Sequence, residues 1–303
     1  MTSFVEAEIA SQPDCWLQAA EAGGAARAVL PEPGARVAIV GCGTSWHIAA
    51  AWAAEREGAG GGVTDAWPAS ESWPVVLRGY DHVLALSRSG TTSEVLDALT
   101  ALPAGTRSTA VTGDAASPVA AACVGVLELA FADEQSVVQT RFATSALVAL
   151  RAALPGAEPV DVAVSAAREV LASPVPPELV DREHYVFLGR GGAVGLAAEA
   201  ALKVREAAGK WTESGPALEY RHGPLSAAHP GSVIWALGEV PADLLADLAV
   251  SGAAVRTSGR DALAELVEVQ RVAVATALAR GLDPDNPRHL TRSVVLSGTQ
   301  PGR

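Results

Sequence analysis

The chain is 303 residues long, with 49% hydrophobic and 18% charged residues, which excludes disorder and suffices for a large core, with two domains of ordinary size as the natural division. Its formal net charge is −12 and no run of Lys or Arg offsets it, so no nucleic-acid partner is expected and an anionic ligand must be held locally. Cys15, Cys42 and Cys123 form neither a metal nor a disulfide pattern, and no signal-like or membrane-length apolar stretch occurs; no membrane partner is expected, and a reduced cytoplasm is the expected compartment.

In chain order, residues 1–35 read as a helical segment interrupted at Pro13 and ended by Pro33-Gly34. ARVAIVGCGTS is a buried strand running into a glycine turn, and the Ala-rich stretch after it is a helix. DHVLALSRSGTTSEVLDAL repeats strand, loop and helix. RSTAVTGD and CVGVLELAF follow as strands, and SVVQTRFATSALVALRAAL as a long helix. Pro155-Gly156 and Ser173-Pro174-Val175-Pro176-Pro177 bracket a helix that leads into a second unit. There EHYVFLGRGGAVGLAAEAALKVREAAG and SVIWALGEVPADLLADLAVSG repeat the order of the first unit, which predicts an internal duplication. Strands alternating with helices predict an α/β fold with doubly wound parallel sheets, divided as 36–172 and 173–303.

Only the first unit carries a hydroxyl-rich loop. Ser87-Arg88-Ser89-Gly90-Thr91-Thr92 follows a strand and precedes a helix beginning near Glu94, with Thr92 or Ser93 placed to cap it. Such a loop offers hydroxyls and free amides to an anion at the positive end of a helix, while an ordinary capped turn has the same residue types. The corresponding stretch of the second unit is Gly238-Glu239-Val240-Pro241. There is no Walker loop, and the turn Gly41-Cys42-Gly43-Thr44-Ser45 meets Trp46 where a dinucleotide fingerprint needs a small residue, so no cofactor and no metal are expected. Glu199, Lys203, Glu206 and Lys210 share one helix face within a roughly 60° arc, which is either a solvated charge stripe or a catalytic face.

GCGTS, SRSGTTSE, AEAALKVRE, LEYRHGPL and DNPRHLTRSV occur in the order found in the sugar isomerase (SIS) family. The chain most resembles the isomerase half of the glucosamine-6-phosphate synthases, and its N-terminus the tagatose-6-phosphate isomerase branch. The resemblance implies two SIS domains, each a five-stranded parallel sheet between helices, and a homodimer acting on a sugar phosphate. It places the phosphate on Ser45, Ser87, Arg88, Ser89 and Thr92 and the sugar against Cys42, Gly43 and Thr44. Glu134 and the segment around Val137 and Gln139 match a further substrate-lining loop, less closely.

The same resemblance makes Glu206 the base that moves a proton between C1 and C2, with Lys203 and Glu199 beside it, and His222 the acid that opens the ring, in the family often from the neighbouring subunit. Arg88 replaces a glutamine and either contacts phosphate or points to solvent. Arg292 replaces the tail lysine that forms an imine with a ketose, which a guanidinium cannot do, but it can still bind an anion. No glutaminase segment is expected ahead of residue 36. The expected chemistry is therefore isomerisation, with or without loss of an amine, or else sugar-phosphate sensing without turnover.

Overall fold

The computed structural model describes residues 3–295. The N-terminal segment forms α1 (Phe4–Ala10) and α2 (Gln12–Ala25). Pro13 does not break a helix but lies in the first turn of α2, where its missing N–H costs nothing. The first sheet is built from β1 (Val37–Gly41), β2 (Thr64–Pro68), β3 (His82–Leu86), β4 (Arg107–Thr112) and β5 (Gly125–Glu128), all parallel in the order β2-β1-β3-β4-β5. Around it lie α3 (Thr44–Gly58), α4 (Trp73–Arg78), α5 (Ser93–Thr100), α6 (Pro118–Ala121), α7 (Arg141–Ala152) and α8 (Asp161–Ala172).

The second unit contributes β6 (His184–Gly189), α9 (Ala193–Ala208), β7 (Trp211–Pro216), β8 (Ser232–Ala236), α10 (Ala242–Ala249), β9 (Ala254–Arg256) and α11 (Ala262–Ala279). Its sheet is also parallel, in the order β7-β6-β8-β9. The duplicated topology is present, but the expected fifth strand of this sheet is absent among the described residues. After β9 the chain turns at Asp261, whose carboxylate caps α11 through the amide of Leu263 at 2.8 Å, and no segment is left for another strand before the helix.

The two sheets share one large core, and each also keeps a smaller cluster of its own, around Val40 and Val83 in the first and around Val186 and Ile234 in the second. One hydrophobic cluster runs from Val5 and Trp16 through Ile39, Leu84, Phe142 and Leu196 to Val267 and Ala277. At its centre α3 lies antiparallel against α9. Gly195 permits this crossing, since a Cβ there would sit 2.5 Å from the Ala51 amide nitrogen and 2.6 Å from the His47 carbonyl oxygen. Thr44, at the start of α3, thereby comes beside residues 199 and 203 of α9.

Candidate active site

The sheet order β2-β1-β3 means that the chain leaves β1 toward one side and returns at β3 on the other. Ligands of open α/β sheets bind at such a switch, beyond the carboxyl ends of the strands. Here the switch is flanked by the turn after β1 and the loop after β3, the two segments singled out in the sequence. They touch: a Cβ on Gly41 would lie 2.8 Å from Ser45 Cβ and 3.1 Å from the Leu86 carbonyl oxygen. Gly43, at φ +52°, precedes α3, and Thr44 and Ser45 are buried in its first turn. Cys42 is half-buried, and burial, with Glu94 adding to it, pushes its thiol up to about 11. Near neutral pH it is therefore a neutral thiol and not a nucleophile.

In the loop after β3, Ser87 and Thr92 face each other with hydroxyl oxygens 3.4 Å apart. Ser89 donates to Ser293 Oγ at 3.2 Å, and the Thr91 hydroxyl lies 2.9 Å from that same atom. Gly90 (φ +62°) is required for a reason other than ligand approach. A Cβ there would lie 2.0 Å from the Ser117 hydroxyl, which caps α6. Thr92 is the N-cap of α5, yet its hydroxyl makes no capping hydrogen bond.

Arg88 departs from expectation. Its side chain is 1% exposed and turns inward, so it reaches neither solvent nor the mouth of the loop. Nη1 lies 3.7 Å from Glu134 Oε2 and donates to the Ser136 carbonyl at 3.1 Å, while Nη2 donates to the Arg292 carbonyl at 2.8 Å. Burial raises the Glu134 carboxyl above its ordinary range, and Arg88 works against that shift. The other Glu134 oxygen accepts from the amides of Thr140 and Arg141 at 2.5 and 2.9 Å. This is why α7 starts only at Arg141: the preceding residues, read as helix from the sequence, form a loop wrapped around a buried carboxylate. Val137 and Gln139 lie on that loop, and Gln139 Oε1 is buried without a hydrogen-bond partner. The Arg292 side chain pairs with Asp133 through both carboxylate oxygens at 2.8 Å rather than with the hydroxyl loop.

The helix face read as a charge stripe is buried. Glu199 and Lys203 are 0% and 1% exposed. Lys203 Nζ donates to Thr44 Oγ1 at 2.9 Å, lies 3.4 Å from Glu199 Oε1, and bonds Glu206 Oε2. The Thr44 hydroxyl in turn donates to Glu199 Oε1 at 3.3 Å, and Glu199 Oε2 is left without a partner. Burial pushes Glu199 up to about 7, against the pull of Lys203. Burial also works to lower the Lys203 ammonium, but Glu199 and Glu206 more than offset it and the group is raised. Lys210 lies beyond the end of α9 and pairs with Asp181 at 2.7 Å, so it is not part of the face. A buried ammonium held between two carboxylates at the switch point of the first sheet can move protons and steady an oxyanion.

His222 is exposed and stands apart. It follows β7, whose Pro216 is in register with Gly189 at the end of β6, so it belongs to the edge of the second sheet where α9 begins. Glu206 lies thirteen positions along α9, roughly 20 Å away at the helical rise. One chain therefore does not bring them together.

The glutamine–fructose-6-phosphate aminotransferase (isomerizing) of Sulfolobus acidocaldarius is 29% identical over 301 residues, covering 86% of this chain and 50% of that protein. Over that half the two are homologous. The chain thus spans about half the length of the curated relatives it matches. No family model matches the chain. A glucosamine-6-phosphate deaminase from Thermotoga maritima superposes with a TM-score of 0.79 at 26% identity, covering 97% of this chain and 100% of that one. The tagatose-6-phosphate ketose/aldose isomerase of Escherichia coli shares the fold, with a TM-score of 0.79 at 18% identity over 98% of both chains.

Glu8 and Ser293 escaped the sequence reading. Glu8 accepts from the amide of Gln135 at 2.5 Å and from the Ser136 hydroxyl, shaping the Glu134 loop from α1. Its only sequence signal is a single acid on an otherwise apolar face. Ser293 lies within the tail motif, but nothing in its residue type marks it as a partner of the hydroxyl loop.

Proposed function

We propose that this protein is a phosphosugar isomerase or amino-sugar-phosphate deaminase that moves a proton between C1 and C2 of a sugar 6-phosphate. The observation that carries this reading is the Thr44–Glu199–Lys203–Glu206 constellation, buried beside a hydroxyl loop at the switch point. The phosphate is bound by the hydroxyls of Ser87, Ser89, Thr91 and Thr92 and by amides at the start of α5, where the helix dipole favours an anion. Glu206, the more accessible of the two carboxylates with a side chain 19% exposed, takes the proton. Lys203 steadies the negative oxygen of the enediol, and Glu199 and Thr44 hold Lys203 in place.

Ring opening requires an acid near the sugar oxygen, and His222 of the same chain lies too far away. We assign this role to the His222 of a second copy, so the active form is a dimer with shared sites. The chain divides functionally as 36–172 for phosphate and 173–303 for proton transfer. With Arg292 bound to Asp133 and unable to form an imine, nitrogen transfer to a ketose is not part of the proposal. Incubating the protein with fructose 6-phosphate, tagatose 6-phosphate and glucosamine 6-phosphate, and following aldose formation and ammonia release, tests it. Turnover of at least one is expected. Glu206→Gln should lose about 10²–10⁴-fold in kcat with a small change in KM. A Glu206→Gln variant as active as the parent sinks the assignment.

A further inference from the structure

Arg88 neither faces the mouth of the hydroxyl loop nor points to solvent, and its geometry gives it other work. Its backbone is fixed to the first sheet, because its carbonyl accepts from the Gly113 amide at 3.0 Å and from Thr112 Oγ1 at 3.3 Å. Its guanidinium spans two other segments, the Glu134–Ser136 loop and the tail at Arg292. The next tail residues then close on the hydroxyl loop. Ser293 Oγ takes the hydroxyls of Ser89 and Thr91, and the Val294 carbonyl accepts from the Ser93 amide at 3.3 Å. Three of the groups that would face an anion are thus engaged by the tail, and the tail is held there from below by one buried fork.

Arg88 Nε and Glu134 Oε2 are both buried without hydrogen-bond partners. The pair therefore has unused bonding capacity at the point where the tail is attached. A group with spare donor capacity opposite a buried acceptor can exchange one partner for another without leaving a charge unpaired.

We propose that Arg88 is a positioning residue: it does not touch the phosphate, but latches the tail strap Arg292–Val294 over the anion loop and sets how readily the loop opens to a phosphate ester. This rests on the reading of the loop as a phosphate site. The latch itself depends only on Arg88, Glu134 and the tail. Arg88→Gln keeps a donor but loses the fork and the charge; Arg88→Lys keeps the charge and loses the fork.

Hydrogen exchange read on peptides covering 87–96 and 288–295, with no ligand present, tests the latch without turnover. Both variants should raise exchange in the two peptides at least tenfold while peptides from β1 and β3 stay protected. Titration with inorganic phosphate and with fructose 6-phosphate then reads the loop, where both variants should shift affinity at least threefold. A chain ended after Leu290 keeps Arg88 and Glu134 but removes the Arg292 carbonyl that Nη2 reaches; it should show the same shift, and adding Arg88→Gln to it should change nothing further. If Arg88→Gln leaves tail exchange at the parent level, or if it shifts affinity equally in the shortened chain, the latch is wrong. If Arg88→Gln fails to fold, the shortened chain decides alone: unchanged affinity for both probes overturns the proposal. Parent protein that binds neither probe, with tail exchange rising as expected, leaves the latch standing and removes the sugar-phosphate reading.

Discussion

At the residue scale two positions show how local physics shapes the site. Gly90 combines a left-handed backbone with a contact that no side chain could share, a Cβ meeting the Ser117 hydroxyl at 2.0 Å. Gly90→Ala should destabilise the protein by about 1–3 kcal/mol, from strain and overpacking together, and should weaken phosphate binding as the loop shifts. Denaturant melts alongside phosphate titration check this; unchanged stability would mean that the loop accommodates the methyl group. Glu199 carries the second prediction. Its carboxyl is raised to about 7 by burial, so between an unfolded value near 4.5 and about 7 the native state holds a proton that the unfolded chain releases. Stability contributed by the neutral acid is complete below that window and is lost as pH rises through it, on the order of 3 kcal/mol across the full shift. Glu265, pushed up to about 6 by burial, adds a slope of the same sign. His47 and His82, both pushed down to about 4 by burial, give slopes of the opposite sign below about 6.5, so Glu199→Gln should remove only the share of Glu199 and make the dependence of stability on pH between 5 and 7 less negative than the parent's. A slope as steep as the parent's would show that Glu199 is already ionised across the window.

At the scale of elements, the crossing of α3 and α9 sets the site. Thr44 meets Lys203 because Gly195 lets the two helices approach, and Gly195→Ala forces backbone atoms now about 2.5 Å from the new carbon to move. The expected cost is about 1–3 kcal/mol of stability, with a fall in kcat exceeding any change in KM because proton transfer loses its geometry. A stable variant with parental kcat would show that the crossing does not control the site. The sequence made much of this legible. The 3.6-residue spacing of Glu199, Lys203 and Glu206 was visible, and so were the apolar runs of β1, β3, β6 and β8. Of the edge strands only β5 was, within CVGVLELAF; TDAWP and WTESGP are polar and partly exposed, and β9 spans only three residues. Burial of the charge stripe and the inward turn of Arg88 also lay beyond it. Both depend on what packs opposite, Thr44 in one case and Glu134 in the other, and no spacing along the chain encodes that.

At the scale of the molecule, the proposed site has two parts at opposite ends of α9. Glu206 belongs with the hydroxyl loop, while His222 lies with the far edge of the second sheet. The proposal joins them across two copies, which makes the dimer a condition of activity rather than an accessory to it. Co-expression of Glu206→Gln and His222→Ala chains tests this most directly. Each variant alone should be inactive on the substrate that the parent turns over. In mixed dimers with two-fold symmetry one site carries both substitutions and the other carries neither, so random pairing should restore about a quarter of the parent's activity. Mixed dimers isolated with two different tags that show no more activity than either variant alone would contradict the shared site.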